Sequence, residues 1–340
     1  MLSLHPAVTL SSCLPSLLGG LLLGLLSLAR LQTTASLMRS ATPHLLTTFG
    51  AVLGACFLDF AHPRPLRGSG HFASASLEPS TLVVSALLVS IGAKLGAGCT
   101  YGNGIQGLGF FSRASLAHVG TFMLAGVATA TYLNLGDSPG IAAAAAGKMF
   151  FNRATSNLQQ VPFQPPSPLS LLADNGGLLG CALFGVLFQF LEPAPRFLRD
   201  VLAGASFSSA LLLAGMGSPL NITAFLDLNT PTGWDPRVCV VMGGALLVTV
   251  PAYASLTEKD VGPGIWEWKR RPVTPWVILG GVCFGVGWGL SGLCPGPAYV
   301  AAGFGEPAFA GVLLGSRLLM DAAEKGYERM KAPKADKKNK

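Results

Sequence analysis

The sequence predicts an all-α membrane protein with about nine hydrophobic segments in two pseudo-repeated halves and with broken or re-entrant helices. Of the 340 residues, 50% are hydrophobic and 11% are charged, whereas soluble domains carry about 25% charged residues. The mean hydropathy is +0.52. Apolar runs approach the length of about 20 residues that a bilayer crossing needs, and Gly and Pro interrupt several of them.

Nine apolar segments are the candidates for membrane spans. Some of them are expected to be half-helices or re-entrant pairs, because small residues end them early. The candidates cover residues 14–31, 42–60, 80–98, 114–133, 177–191, 197–215, 238–257, 275–293 and 297–319.

Polar segments divide the chain into parts. We expect a first transmembrane half at 1–133, a polar connecting loop at 134–175 and a second transmembrane half at 176–324. Residues 325–340 form a basic tail, which we expect to be disordered because it has few apolar groups to bury.

Basic residues are distributed unevenly if all nine segments are crossings. One side carries Arg39, Arg113, Arg196, Arg199, Lys259, Lys269, Arg270, Arg271 and the basic tail, and the other carries Arg64, Arg67, Lys148, Arg153 and Arg237. The positive-inside rule then places the C-terminus on the cytoplasmic or matrix side. We expect a multi-pass protein of a plasma (inner) membrane, with an organelle inner membrane as the second choice.

Two of the seven cysteines lie where apolar runs are interrupted. Cys99 lies in GAKLGAGCTYGNGIQGLG and Cys294 in GVGWGLSGLCPGPAYV. A backbone break inside a bilayer is tolerated only where it is buried in protein or lines a cavity. We therefore expect a solute to pass or dock at both breaks and to meet a thiol there. The remaining cysteines are interpreted as small apolar residues.

The sequence lacks the motifs of several other function classes. It has no paired Cys/His spacing of the kind that binds zinc and no P-loop. No Ser-His-Asp arrangement can be argued from its five histidines. We expect no enzyme activity, no metal, no cofactor and no nucleic-acid partner.

Interrupted segments recur at matching places in the two halves. They are LLGGLLLGLLSLARLQTTAS and SIGAKLGAGCTYGNGIQG in the first half, and SFSSALLLAGMGSPLNITAFLDL and GVGWGLSGLCPGPAYVAAG in the second. In transporters this pattern indicates a binding site at the membrane midplane. Close helix packing through small residues is the alternative, and it explains Gly19, Gly20 and Gly24 well.

These stretches resemble a known family. GCTYGNGIQGLGFFSRAS is similar to GCTSGHGVCGLARLSLRS, a signature of the YeeE/YedE family of membrane proteins. AGMGSPLNITAFLDL, WDPRVCVVMGGA and GVGWGLSGLCPGPA resemble the partner that is often encoded beside it in bacteria. The resemblance extends from about Leu17 to Arg317, so the chain resembles a fusion of the two half-size proteins.

The resemblance implies transport of inorganic sulfur compounds, with thiosulfate as the family's established substrate. It also implies an all-helical fold with inverted repeats, in which broken helices line an hourglass-like path and thiosulfate passes between cysteines. Cys99 matches the cysteine of GCTSG and Cys294 that of GLCPGP. The chain departs from the family at Asn103, which replaces a His, and at Gln106, which replaces a Cys. It also lacks the third cysteine that longer relatives have near their first break.

The predicted pathway combines both thiols with donors and small residues near the breaks. Half-helix N-termini supply N–H groups to an anion, glycine permits close approach, and a thiol adds a weak donor. Lys94 either attracts the anion or extends to the membrane interface. The predicted pathway residues besides Cys99 and Cys294 are Lys94, Gly98, Gly102, Asn103, Gly104, Gln106, Gly292, Pro295, Gly296, Met216 and Ser218.

Other interpretations remain open at this point. Asp227 and Asp235 are expected to cap helices, with proton coupling as the alternative. A membrane redox or sulfane-sulfur relay protein, using reversible chemistry at Cys99 and Cys294, is the alternative function. A binding or sensor subunit without flux is a third possibility. The expected partners are thiosulfate or a similar sulfur anion, the lipid bilayer and a cytoplasmic sulfurtransferase-type acceptor.

Overall fold

A computed structural model describes residues 10–29, 45–61, 79–135, 168–191, 195–229, 234–261 and 263–331. Its regular elements are helices, and no strand is present in these ranges. The all-α fold class predicted from hydropathy is therefore confirmed.

The helices of each half follow one another along the chain. The first half contains α1 (Leu10–Ala29), α2 (Leu45–Ala61), α3 (Pro79–Leu95), a π-helix (Thr100–Gly107) and α4 (Arg113–Leu135). The second half contains α5 (Pro168–Phe188), α6 (Arg196–Leu213), α7 (Pro219–Leu226), α8 (Arg237–Ala254), α9 (Glu258–Val261), α10 (Pro263–Arg270), α11 (Pro275–Ser291), α12 (Pro295–Gly303) and α13 (Ala308–Lys331).

Within the described ranges, four stretches are long and apolar enough to cross a membrane. They are Pro79–Gly107, Arg113–Tyr132, Arg237–Ala254 and Pro275–Gly303. The first and last each contain a helix break, so that two consecutive helices share one span. The protein is an integral membrane protein, but its helices do not establish nine separate spans.

The largest difference from the predicted segments concerns residues 297–319. This segment was expected to be one span, but the chain divides it into α12 and α13. Gly305 adopts a φ of 83°, and Pro307 cannot donate a helical hydrogen bond. The turn between the last two crossings therefore lies at 304–307, whereas the Pro-Gly-Pro at 295–297 begins a helix within a span.

Two predicted boundaries also differ from the observed ones. α5 begins at Pro168, inside the predicted connecting loop, because proline is compatible with the first turn of a helix. α13 continues to Lys331, so the first part of the predicted disordered tail is helical. Residues 136–167 and 332–340 lie outside the described residues.

Glycine and other small residues bring two helix pairs into close contact. α1 packs on α8, where a Cβ at Gly20 would overlap the Val241 carbonyl and one at Gly244 would lie 2.8 Å from the Leu17 carbonyl oxygen. α2 packs on α6 in the same manner, with Gly50 against Val201. Small-residue packing is a principal means of helix association in membranes.

α11 lies between α3 and α4 in the middle of the bundle. A Cβ at Gly92 of α3 would lie 2.6 Å from the Gly280 carbonyl oxygen, and one at Gly285 would lie 2.7 Å from the Ala125 Cβ on α4. The Trp288 ring of α11 is fully buried and meets the Phe122 ring edge-on at 5.7 Å. These contacts fix the position of α11 along the bundle axis and therefore the depth at which α11 ends.

The side-chain contacts define one end of the bundle, which we call the basic end. There the last turn of α3 lies beside α13, since Lys94 pairs with Asp321. α8 finishes at the same end, where Tyr253 stacks on Phe110 at a centroid distance of 4.3 Å. α4 and α11 begin at this end, which carries Arg113, Lys269, Arg270 and Arg271.

Candidate functional site

The first helix break comprises residues 96–99, between α3 and the π-helix. Ala97 and Gly98 have φ values of 50° and 152°, a region that favours glycine. Cys99 then returns to an extended conformation as the residue that precedes the π-helix. The thiol therefore lies at the N-terminus of a short helix inside a predicted span.

The second break comprises residues 292–294, between α11 and α12. Gly292 ends α11 with a φ of 68°, and a Cβ there would lie 2.5 Å from the Pro219 carbonyl oxygen. Cys294 is extended, and Pro295 opens α12. In both breaks the cysteine follows a left-handed residue by two positions and immediately precedes the short helix.

The two breaks bring their cysteines near each other. The Cys99 and Cys294 thiols lie within electrostatic range of one another, and the Thr100 hydroxyl lies beside the Cys294 thiol. Both cysteines are free, with Cys294 buried and Cys99 partly exposed. Tyr299 and Arg317 lie within the same range of Cys99. We call Cys99, Cys294, Tyr299 and Arg317 the central cluster.

Phe207 of α6 joins the two short helices beside the central cluster. Its ring meets the ring of Tyr101 edge-on at a centroid distance of 5.3 Å. A Cβ at Gly296 would lie 3.0 Å from Phe207 Cζ, so only a small residue fits there. Tyr101 and Gly296 thus hold the first turns of the π-helix and of α12 against one aromatic ring.

A third break, at residues 214–218, separates α6 from α7. Gly215 has a φ of 72°, and Ser218 precedes Pro219 at the start of α7. Met216 and Ser218, both predicted pathway residues, are buried here. This break reaches the second break through the contact of Pro219 with Gly292.

Asn103 and Arg271 hold the first break together. Asn103 Nδ2 donates to the carbonyl oxygens of Gly96 and Gly98 at 3.2 and 2.9 Å, and Arg271 Nη1 donates to Gly96 at 2.7 Å. Asn103 Oδ1 accepts from Arg271 Nη2 and from Ser115 Oγ. Both amide hydrogens of Asn103 therefore serve the backbone, and its side chain holds the break in place.

Arg271 lies in the loop before α11, and burial lowers its pKa to about 10. The guanidinium therefore stays charged at neutral pH. A charged donor forms stronger hydrogen bonds with carbonyl oxygens than a neutral donor does, so Arg271 is suited to hold a broken backbone in place.

The third break has a similar Asn–Arg pair. Asn221 Nδ2 donates to the Gly215 carbonyl oxygen at 2.7 Å, and Asn221 Oδ1 accepts from Arg237 Nη2 at 3.2 Å. Arg237 also forms an ion pair with Asp235. The sequence analysis missed both arginines, although an Asn early in each short helix was a visible signal of a polar contact.

Lys94 is not a free cation beside the thiols. Its Nζ donates to Asp321 Oδ1 at 2.7 Å and to Glu324 Oε2 at 2.6 Å, at the basic end. Arg317 is the cation that lies within electrostatic range of Cys99. The sequence left Lys94 open between attracting an anion and extending to the membrane interface, and its two ion pairs do not favour the first alternative.

The remaining predicted pathway residues near Cys99 belong to the π-helix. Gly102, Gly104 and Gln106 are buried there. A Cβ at Gly104 would lie 2.7 Å from Met242 Cε on α8, so this glycine permits close packing.

The two predicted capping aspartates differ in role. Asp235 Oδ1 accepts from the Arg237 backbone amide at 3.0 Å, so it binds the first residue of α8, while Pro236 directly precedes the helix. Asp227 instead follows α7 and accepts from the Asn229 amide at 2.8 Å, so it closes a turn and does not begin a helix. Within the described ranges, no group of His, Cys, Asp and Glu is arranged to hold a metal.

Comparison with known proteins identifies relatives of this chain. Residues 196–332 match the model of a family described as "Family of unknown function (DUF6691)". A Xylella fastidiosa (strain Temecula1) protein named "Probable transporter" is 36% identical over 133 residues, 38% of this chain and 82% of the relative. A protein of the same name from strain 9a5c is 36% identical over 115 residues, 32% of this chain and 77% of the relative.

A shorter match covers part of a further Xylella fastidiosa (strain Temecula1) "Probable transporter", which is 42% identical over 55 residues, 16% of this chain and 41% of that relative. No solved structure matches the chain at a significant level. The two longer matches cover most of each relative, and the described helices include segments able to cross a membrane. The chain therefore belongs to the same family of membrane proteins as these two Xylella fastidiosa relatives.

Proposed function

We propose that this protein is a membrane transporter or channel-like facilitator for thiosulfate or a related inorganic sulfur anion. The anion passes along a path lined by the Cys99 and Cys294 thiols. The observation that carries the proposal is the proximity of these two thiols, each at the start of a short helix within a span. The names of the relatives and the YeeE/YedE resemblance support it.

The electrostatics of the two helix starts favour an anion. An α-helix N-terminus carries a partial positive charge, and the π-helix and α12 both start at the central cluster. The π-helix follows Cys99, and Gly109, two residues after its end, packs on Tyr253 at the basic end. α12 leads from Cys294 to Gly303, which packs on Ala55 of α2. The two helix starts thus lie near each other at the central cluster.

The thiols contribute contacts of moderate strength. A neutral thiol offers a weak S–H donor and a polarisable surface to the terminal sulfur of thiosulfate. A thiolate would repel the dianion. Sites that bind weakly release their ligand quickly, as conduction requires. Neutral thiols therefore suit a path better than thiolates do.

The packing of the two halves agrees with an inverted repeat. The contact of α1 with α8 has a counterpart in the contact of α6 with α2, and that of α4 with α11 has one in α13 with α3. Individual glycine contacts follow the same exchange, since Gly244 faces Leu17 and Gly50 faces Val201. In transporters of this kind the substrate site lies at the repeat interface, and Cys99 and Cys294 come from the two different halves.

The proximity of two free thiols also favours the second candidate function, a sulfane-sulfur or redox relay. A relay would depend on the redox state of both cysteines, whereas a path would conduct under fully reducing conditions. We further propose that a sulfurtransferase-type acceptor takes up the cargo on the cytoplasmic side.

Uptake of radiolabelled thiosulfate into proteoliposomes tests the proposal. We expect Cys99→Ala and Cys294→Ala each to lower uptake by about tenfold, because each removes one hydrogen-bonding contact on the path. Cys239→Ala is the matched control, since Cys239 is exposed on α8. Unchanged uptake in both site variants would refute the pathway, and uptake that needs an added oxidant would favour the relay.

A further inference from the structure

Arg317 of α13 carries a buried donor without a protein partner. Its Nη1 atom is shielded from solvent and has no hydrogen-bond partner among the described residues. An unsatisfied donor on a charged group is costly in a membrane interior. A guanidinium in this position is therefore suited to a ligand that supplies the missing acceptor.

The charged residues around Arg317 are shared with Lys94. The guanidinium lies within electrostatic range of Asp321, Tyr299 and Cys99. Asp321 is buried and already accepts from Lys94, whereas Glu324 on the other side of Lys94 is exposed to solvent, with 58% of its side chain accessible. Lys94 thus has two carboxylate partners, and Arg317 shares the buried one, Asp321, with Lys94.

Tyr299 and Cys99 complete the surroundings of the guanidinium. Tyr299 lies on α12, five positions after Cys294, and its hydroxyl interacts with Thr48 of α2. Cys99 immediately precedes the π-helix and lies within electrostatic range of both Tyr299 and Arg317. One cation, one hydroxyl and one thiol therefore converge from three different helical segments.

We propose that Arg317, Tyr299 and Cys99 form an anion-binding subsite that takes a small tetrahedral oxyanion such as thiosulfate. The planar guanidinium can donate to two oxygens of the anion at once, and the tyrosine hydroxyl can donate to another. The terminal sulfur then faces the Cys99 thiol. This inference rests on the proposed function for its ligand, and it assigns charge selection to Arg317 in place of Lys94.

The test uses protection of Cys99 from alkylation in the full-length protein in detergent. N-ethylmaleimide is added at increasing thiosulfate concentrations, and mass spectrometry of the Cys99 peptide measures the rate. We expect thiosulfate to protect the wild type. In Arg317→Gln the half-protecting concentration should rise by about tenfold or more, because a charge-assisted hydrogen bond is lost.

Two further variants keep the test decisive if Arg317→Gln does not fold. Arg317→Lys keeps the charge but not the planar pair of donors, so its half-protecting concentration should lie between those of wild type and Arg317→Gln. Tyr299→Phe removes a single hydroxyl and should also weaken protection. Arg113→Gln is the control, because Arg113 is an exposed arginine at the basic end.

The outcomes separate this inference from the proposed function. Wild-type protection in Arg317→Gln, or in Arg317→Lys and Tyr299→Phe together, would overturn the subsite and leave the cysteine path intact. If sulfate but not thiosulfate protects the wild type, and Arg317→Gln abolishes that protection, the subsite stands and the proposed cargo is wrong. If no anion protects the wild type, the subsite does not exist.

Discussion

At the scale of single residues, side-chain hydrogen bonds satisfy backbone carbonyl groups at the helix breaks. Asn103 and Arg271 occupy carbonyl oxygens of residues 96 and 98 that helical hydrogen bonds no longer serve. In a bilayer each unsatisfied backbone group costs several kcal/mol, so such contacts decide whether a break can exist. Arg271 thus has a structural role that differs from the ligand-binding role proposed for Arg317.

Arg271→Gln should loosen the first break. It removes a charged donor to Gly96 and Asn103, at a cost of about 1.5–3 kcal/mol. We expect a lower thermal unfolding midpoint in detergent and faster alkylation of Cys99. Arg113→Gln makes the same change in charge at an exposed position of the same end and should alter neither property. Equal effects in the two variants would contradict the role of Arg271.

The cysteines of the site could be predicted from the sequence, but their partners could not. Glycines and prolines next to Cys99 and Cys294 identify breaks through local chemistry alone. Arg271 lies 168 positions from Asn103, and Asp321 lies 227 positions from Lys94. Contacts over such distances depend on the tertiary fold, which is why neither alternative for Lys94 included its ion pairs with Asp321 and Glu324.

At the scale of helices, glycine contacts set how closely the two halves approach. Gly20 and Gly50 each face a backbone carbonyl across a helix pair, and no side chain fits there. The helices themselves were predictable, because hydropathy registers apolar runs directly. The π-helix and the division of 297–319 were not, because both depend on local backbone conformation at residues such as Gly98 and Gly305.

Gly50→Val should destabilise the contact between α2 and α6. The added side chain would overlap the Val201 carbonyl, and overpacking of this kind costs about 1–3 kcal/mol or more. The unfolding midpoint in detergent is expected to fall. Gly120→Val is the control, because a Cβ at Gly120 has no atom within 4 Å outside its own helix. A similar fall in both variants would show that helix propensity, not packing, is responsible.

At the scale of the whole molecule, the basic end determines orientation. Arg113, Lys269, Arg270 and Arg271 lie at this end, whereas Arg237 lies at the start of α8, which finishes there. The positive-inside rule then predicts that the basic end and the C-terminus face the cytoplasm. The basic residues of the sequence predict the same orientation, although the last turn was placed elsewhere, because α11 and α12 share one span and α13 follows it.

Reporter fusions in a bacterial host test this orientation. Green fluorescent protein fused to the C-terminus should fluoresce, and alkaline phosphatase at the same place should be inactive. Alkaline phosphatase fused after residue 160 should be active, because α4 begins at the basic end and leads away from it. The reverse pattern would show that the C-terminus faces away from the cytoplasm. It would also contradict the proposed uptake of the cargo by a sulfurtransferase-type acceptor on that side.

Reversible modification of Cys99 in proteoliposomes tests most directly whether the solute path passes the central cluster. A methanethiosulfonate reagent is added, and thiosulfate uptake is compared with the modified fractions of Cys99 and of the exposed Cys239. We predict that uptake falls in proportion to the modified fraction of Cys99 and not to that of Cys239. Thiosulfate should slow this loss, and dithiothreitol should restore uptake. Full uptake by protein in which Cys99 is completely modified would contradict the account.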